Sequence, residues 1–220
     1  SMAITVNINS TKWVIPERLT IDEWQTLQQW EFENQAHWPW IINAISGIPV
    51  TEFNGADPDS MQLFIGFLIS AMNLRTLKHQ PKLDAMKFGQ FVDLDCYVSL
   101  GIEKHITDIM KVLEIDTPWA NEALASVEQY IKWRSSIYKQ YAQLFNLDGS
   151  DNEFVDETDF DPKEVSRGWY KVIVELAGED ILKMDQITEE PLHKVLTFLQ
   201  IKKEKALAAA QEARKQKLRA

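Results

Sequence analysis

Hydrophobic positions change period along the chain, and each change marks an element. Residues 4–8 (Ile-Thr-Val-Asn-Ile) alternate apolar and polar side chains, and 12–15 do so more loosely. Asn9-Ser10-Thr11 between them supplies turn chemistry, so the spacing predicts a small β-hairpin over 4–15. Two strands are marginal alone and need a helix to cover them. Thr20 and Glu23 form a capping box for that helix, with Leu19 and Trp24 placed as its hydrophobic staple. Ile21, Leu27 and Phe32 carry it onward. His37-Trp38-Pro39-Trp40 interrupts it. A short helix through Ile41, Ile42 and Ile45 follows, ended by Gly47 and Pro49, and Asn54-Gly55 marks a reversal.

Longer periodic stretches come next. Asp57-Pro58 opens a helix expected to reach about Leu77. Its apolar run over 61–72 is broken by Gln62, Gly66 and Ser70, which suits a buried helix rather than a span of ~18 apolar residues. Residues 78–87 read as a polar loop with Pro81 as breaker. Two helices follow, over 88–100 and 102–113, with Gly101 between them. Thr117-Pro118 opens the next helix, expected to run to about Leu147. Asp161 caps another, and Gly178 is placed to stop it in a left-handed turn. Thr188 is the expected cap of the last helix, with Glu189 and Glu190 in its first turn. The two helices on either side of Gly178 and Thr188 are expected to pair antiparallel.

These elements predict a mainly α fold. A multi-helix domain carries a small N-terminal β-hairpin plus helix module and a long C-terminal helix. The expected organisation is a Trp-rich hairpin–helix module at 2–50, a helical core at 57–147, an acidic loop or linker at 148–161, and a helical hairpin at 162–220. The last of these ends in a projecting basic helix. No internal repeat is evident.

Composition narrows the class. A hydrophobic fraction of 45% and a charged fraction of 25% belong to a soluble globular chain, and the polar, strand-like start does not read as a secretory signal. Cys96, alone of its kind, leaves no internal disulfide or multi-cysteine metal site, and reads as a buried small hydrophobe on a helix. Together these point to a cytoplasmic protein. Net charge is −10, which argues against general nucleic-acid binding. The charge is uneven, however. Lys202, Lys203, Lys205, Arg214, Lys215, Lys217 and Arg219 face only Glu204 and Glu212, a local balance of +5 that leaves −15 elsewhere.

Catalytic grammar is absent from the sequence. There is no G-x-S-x-G, P-loop, G-x-G-x-x-G or C-x-x-C, and no histidine pair has the i, i+4 spacing of a helical zinc site. His105 and Asp108 fit a polar contact on one helix face better than a catalytic pair. The acidic stretch at 148–161 lacks the glycine of an EF-hand loop and reads as solvated charge rather than a divalent site. No cofactor and no metal are expected. Of the eight tryptophans, most are expected in the core, with Trp38 and Trp40 the candidates for an interface. Bulky residues on the last helix stop near Ile201. Beyond it, Leu207 and a run of alanines have strong helix propensity but little to bury. Lys202, Lys203, Lys205, Leu207, Arg214, Lys215, Lys217 and Arg219 are therefore candidate partner-binding residues on a helix that is either solvated or an arm for a partner.

Three stretches carry a family resemblance. W-V-I-P-E-R-L-T-I-D-E-W-Q-T-L at 13–27, F-G-Q-F-V-D-L-D at 88–95 and W-Y-K-V-I-V-E-L-A-G-E-D-I-L-K at 169–183 resemble small proteins encoded among tailed-bacteriophage tail and baseplate genes. The resemblance implies a non-enzymatic assembly factor or chaperone that binds other proteins in the host cytoplasm or stays with the virion. It supplies no catalytic residues. A small acidic phage effector that inhibits a host protein is the alternative, and an enzyme of unrecognised family comes third. The expected partners are proteins, phage structural components or a host factor, with self-association also open. Neither nucleic acid nor membrane is expected.

Overall fold

The computed structural model describes residues 4–145 and 161–219. The fold is mainly helical, with a two-stranded antiparallel hairpin at its start and a long C-terminal helix. It divides into two compact units. Unit 1 comprises Ser1–Pro81 and Ile115–Glu128, and unit 2 comprises Lys82–Glu114 and Gln129–Ala220. Unit 1 thus joins the 2–50 module to part of the segment that the sequence reading placed in a 57–147 core.

In unit 1, β1 (Ile4–Ile8) pairs with β2 (Thr11–Ile15), Ile4 opposite Ile15 and Ile8 opposite Thr11. Asn9 and Ser10 both have positive φ, 49° and 64°, the geometry of a two-residue turn that matches strand twist. Val6, Ile8 and Ile15 face the core. Thr20 caps α1 (Ile21–Leu27), its hydroxyl accepting from the Glu23 amide at 3.2 Å while donating to Glu23 Oε1 at 3.1 Å. This helix stops five residues short of the expected Phe32, whose carbonyl accepts instead from Trp38 Nε1 at 2.8 Å. Next, α2 (Trp38–Ser46) ends at Gly47 in the left-handed region. Asp57 caps α3 (Pro58–Asn73), which also ends early. Arg75 Nη1 takes the Met72 and Leu74 carbonyls, and the Thr76 amide donates to Asn121 O at 3.2 Å.

Unit 2 is organised around α4 (Phe88–Leu100). Gly101, at φ 114°, turns the chain into α5 (Ile102–Val112), which packs back on α4. The next helix, α6 (Ala120–Gln140), is shorter than the expected 117–147. Its start is delayed because Pro118 and Trp119 are held extended: Ile21 N donates to Pro118 O and Ala120 N to Leu19 O. Its residues up to Glu128 belong to unit 1 and the rest to unit 2. Asp161 caps α7 (Pro162–Leu176), and Gly178 ends it at φ 63°. The remaining acidic stretch at 148–160 lies outside the described residues.

Two expectations for the C-terminal part are corrected. Thr188 is not a cap: it lies inside a short helix, α8 (Met184–Glu189), where its hydroxyl donates to Asp185 O. The last helix, α9 (Leu192–Arg219), begins after Pro191, where an antiparallel bridge between Lys87 and Pro191 ties its start to that of α4. Leu192 N donates to Met86 O at 3.0 Å and Phe88 N to Glu190 O at 2.8 Å. Nor do α7 and α9 form the expected hairpin as their main packing, since each packs on α4. The buried side chains of α4 (Phe88, Phe91, Leu94) are bulky enough to serve both neighbours.

Candidate functional site

Leu192, Val195 and Leu196 bury the first turns of α9 in unit 2. Tyr141 Oη meets His193 Nδ1 at 2.8 Å, fixing that start to the end of α6's chain segment. Two lysines then close the packed part. Lys202 pairs with Glu175 on α7, and Lys203 Nζ donates to the carbonyls of Gln143 and Leu144 at 2.6 and 3.2 Å. From 204 to 219 the helix continues, and every residue on it is exposed. At ~1.5 Å per residue these sixteen positions extend the helix by about 24 Å.

The candidate residues separate accordingly. Lys202 and Lys203 are engaged within unit 2. Lys205, Leu207, Arg214, Lys215, Lys217 and Arg219 share the exposed part of α9, and Leu207 is 53% exposed. Trp40, on α2, is 52% exposed. Trp38 is corrected: it is 9% exposed, packed in the core of unit 1, and has no surface to offer a partner. Trp24 and Trp169 are buried as well.

Two buried carboxylates escaped the sequence reading. Asp95, on α4 in unit 2, is 3% exposed and accepts from Arg134 Nε at 2.7 Å, Tyr138 Oη at 2.9 Å and Trp169 Nε1 at 2.7 Å. Arg134 Nη2 adds a second contact at 2.5 Å to the same oxygen, Oδ1, while Trp169 takes Oδ2. Burial pushes the Tyr138 hydroxyl well above its ordinary range, and the Asp95 charge pushes it further. Burial works against the Arg134 cation, but Asp95 outweighs it and holds the guanidinium charged. The available signal was an acid amid the apolar face formed by Phe91, Leu94 and Val98.

Glu122, in unit 1, is 4% exposed. Thr117 Oγ1 donates to it at 2.7 Å, His79 Nε2 lies at 3.3 Å, Lys78 Nζ at 3.5 Å and Arg18 Nη1 at 3.6 Å. The Thr117 hydrogen bond holds its carboxyl below the ordinary range, with Lys78 and His79 adding to this against the opposing effect of burial. Arg18 also lies 3.6 Å over the Trp119 ring. In both clusters the donors occupy the carboxylate oxygens. Each carboxylate thereby ties together segments distant in sequence.

Smaller features resolve similarly. His105 Nδ1 and Asp108 Oδ2 make the expected polar contact at 3.1 Å, and the His105 ring stacks on Tyr97. Cys96 is half-buried on α4 rather than fully enclosed. Burial and the neighbouring Asp95 raise its thiol, against a hydrogen bond with Ser166 that lowers it. Among the described residues no group of three or more His, Cys, Asp or Glu could hold a metal ion, and no helix is long and apolar enough to cross a membrane. Comparison with protein-family models, curated proteins and solved structures finds no match for this chain.

Proposed function

We propose that this protein is a non-enzymatic binding factor that engages a partner protein through the basic part of α9. One observation carries the reading: residues 204–219 stay helical while every one of them is exposed. A helix end that buries nothing adds little to its own unit, whereas its strong helix propensity keeps it ordered for a partner. Five cations and two acids on this part, with Leu207 and Leu218 as exposed apolar side chains, suit an acidic protein surface. The setting we propose, from the resemblance of 13–27, 88–95 and 169–183, is phage tail or baseplate assembly.

A photo-cross-linking residue at Leu207 in the full chain, expressed during infection, tests this. A virion protein captured there supports an assembly role, and a host protein supports the effector alternative. In either case Lys205→Glu, Arg214→Glu and Lys215→Glu together should abolish the adduct. An absence of adducts, or adducts indifferent to those charges, would overturn the arm as a binding element.

A further inference from the structure

Unit 2 carries two complementary surfaces that the α9 reading leaves unused. The first is an apolar tip just past α7. Ile181 and Leu182 are adjacent, and they are 75% and 82% exposed. The backbone beneath them is pinned. Gly178 N donates to Glu175 O and Glu179 N to Val174 O, both at 3.0 Å, which is a Schellman closure of α7. Asp180 Oδ1 then accepts from Leu182 N at 3.0 Å. Two large aliphatics on a fixed turn are pre-organised for a pocket, because little entropy remains to be lost on docking. Acids surround them: Glu179, Asp180 (paired with Lys183 at 3.5 Å) and Asp185.

The second surface is an open groove between α4 and the first half of α7. Leu100 and Tyr170, 45% and 58% exposed, give it apolar walls, with Cys96 between. Lys163 and Arg167, one turn apart on α7, supply its charge, and among the described residues neither is in an ion pair. Asp161, beside the groove, is spent on capping α7. Of the two α4 acids that act on Cys96, Asp95 is buried in its own cluster and Asp93 is paired with no base among the described residues.

We propose that the tip of one copy docks in the groove of a second copy of this chain, leucine and isoleucine against Leu100 and Tyr170, acids against Lys163 and Arg167. The occupant follows from α7 itself. Its fifteen residues span about 22 Å, with the groove on its N-terminal half and the tip beyond its C-terminal end. A copy cannot fill its own groove. The contact is therefore head-to-tail, and it leaves one free tip and one free groove at the ends of any open chain of copies. Two aliphatic side chains make a patch well below the size of a standard interface, so the association is weak and concentration-dependent.

Sedimentation of the full chain from roughly 5 to 500 µM should show mass rising with concentration, a range matched to a weak contact. Leu182→Asp and Arg167→Glu should each keep the chain monomeric. Both positions are exposed, and unchanged circular dichroism checks that the variants fold. The decisive sample is the equimolar mixture of the two variants. One retains a groove and the other a tip, so the mixture should form dimers and nothing larger. Cys96, the chain's single cysteine, gives an independent readout. In the mixture its alkylation should slow several-fold only in L182D, whose groove is intact. A chain that stays monomeric throughout, a mixture no heavier than its components, or association that persists in both variants would each overturn the proposal. Association lost only on reversing the α9 charges would do so too, and would assign self-contact to that arm.

Discussion

Asp95 and Arg134 show why a buried ion pair is fragile from one side. Either charge alone in the core of unit 2 would face a large desolvation penalty; together, with Tyr138 and Trp169 donating to the same carboxylate, the penalty is offset. Asp95→Ala strands the guanidinium and leaves two donors unsatisfied, and should cost about 3–5 kcal/mol. Denaturant titration read by near-ultraviolet dichroism, where Trp169 reports, would measure this, and a loss under 1 kcal/mol would mean that water replaces the carboxylate. Glu122 gives a pH dependence whose sign follows from its neighbours. Its folded carboxyl titrates below the ordinary value of 4.5. The stability it contributes is therefore present above the unfolded pKa and is lost as pH falls through the lower folded one. Melting temperatures measured from neutral pH downward should drop below about 4.5, and Glu122→Gln should flatten that limb while lowering the neutral value. An identical acid limb in the variant would show that other carboxylates control it.

Helix ends divide into those that a short stretch of sequence decides and those decided at a distance. Thr20, Asp57 and Asp161 were legible as caps because each bonds an amide two or three residues ahead. Gly47 and Gly178 were legible because their left-handed turns favour a residue without Cβ. The early end of α3 and the late start of α6 were not, since Asn121 and Leu19 are the partners that set them, across 45 and 101 residues of chain by number. Asp95 was hidden for the same reason: its donors lie 39, 43 and 74 residues away. Thr188 was misread because its local pattern, a threonine before two glutamates, is that of a cap, while Pro191 and the bridge to Lys87 set the real start. Two substitutions check this division. Thr20→Ala should cost about 1 kcal/mol, the scale of a lost N-cap, and an unchanged denaturation midpoint would place the start of α1 elsewhere. Gly89→Ala should cost more, about 1–3 kcal/mol. A Cβ there would sit 2.8 Å from Thr188 Cβ and 3.0 Å from its carbonyl oxygen, and so would force α4 off α8.

Across the whole molecule the strongest asymmetry is charge, with acid spread through most of the chain and base gathered on α9. Two truncations separate what that base does for the fold from what it does for a partner. A chain ending at Lys203 loses only residues that are exposed or at the terminus, so its stability should change by less than about 0.5 kcal/mol at high salt. It also loses a net charge of +3, which takes the formal total from −10 to −13. The added self-repulsion should appear as a small loss at low salt that disappears as salt rises. A chain ending at Ile201 loses Lys202 and Lys203 as well. The Lys202–Glu175 pair is exposed and adds no more than about 1 kcal/mol, fading with salt. Lys203 is different: it satisfies two carbonyls where the chain turns after α6, and its loss should cost about 1 kcal/mol with little salt dependence. Unfolding curves of both truncations at two salt concentrations therefore predict a step between 203 and 201 that survives high salt. If the shorter loss, at 203, already produced a large salt-independent drop, Leu207 and the alanines would have to be packed in the core, and the arm would be part of the fold rather than a surface for a partner.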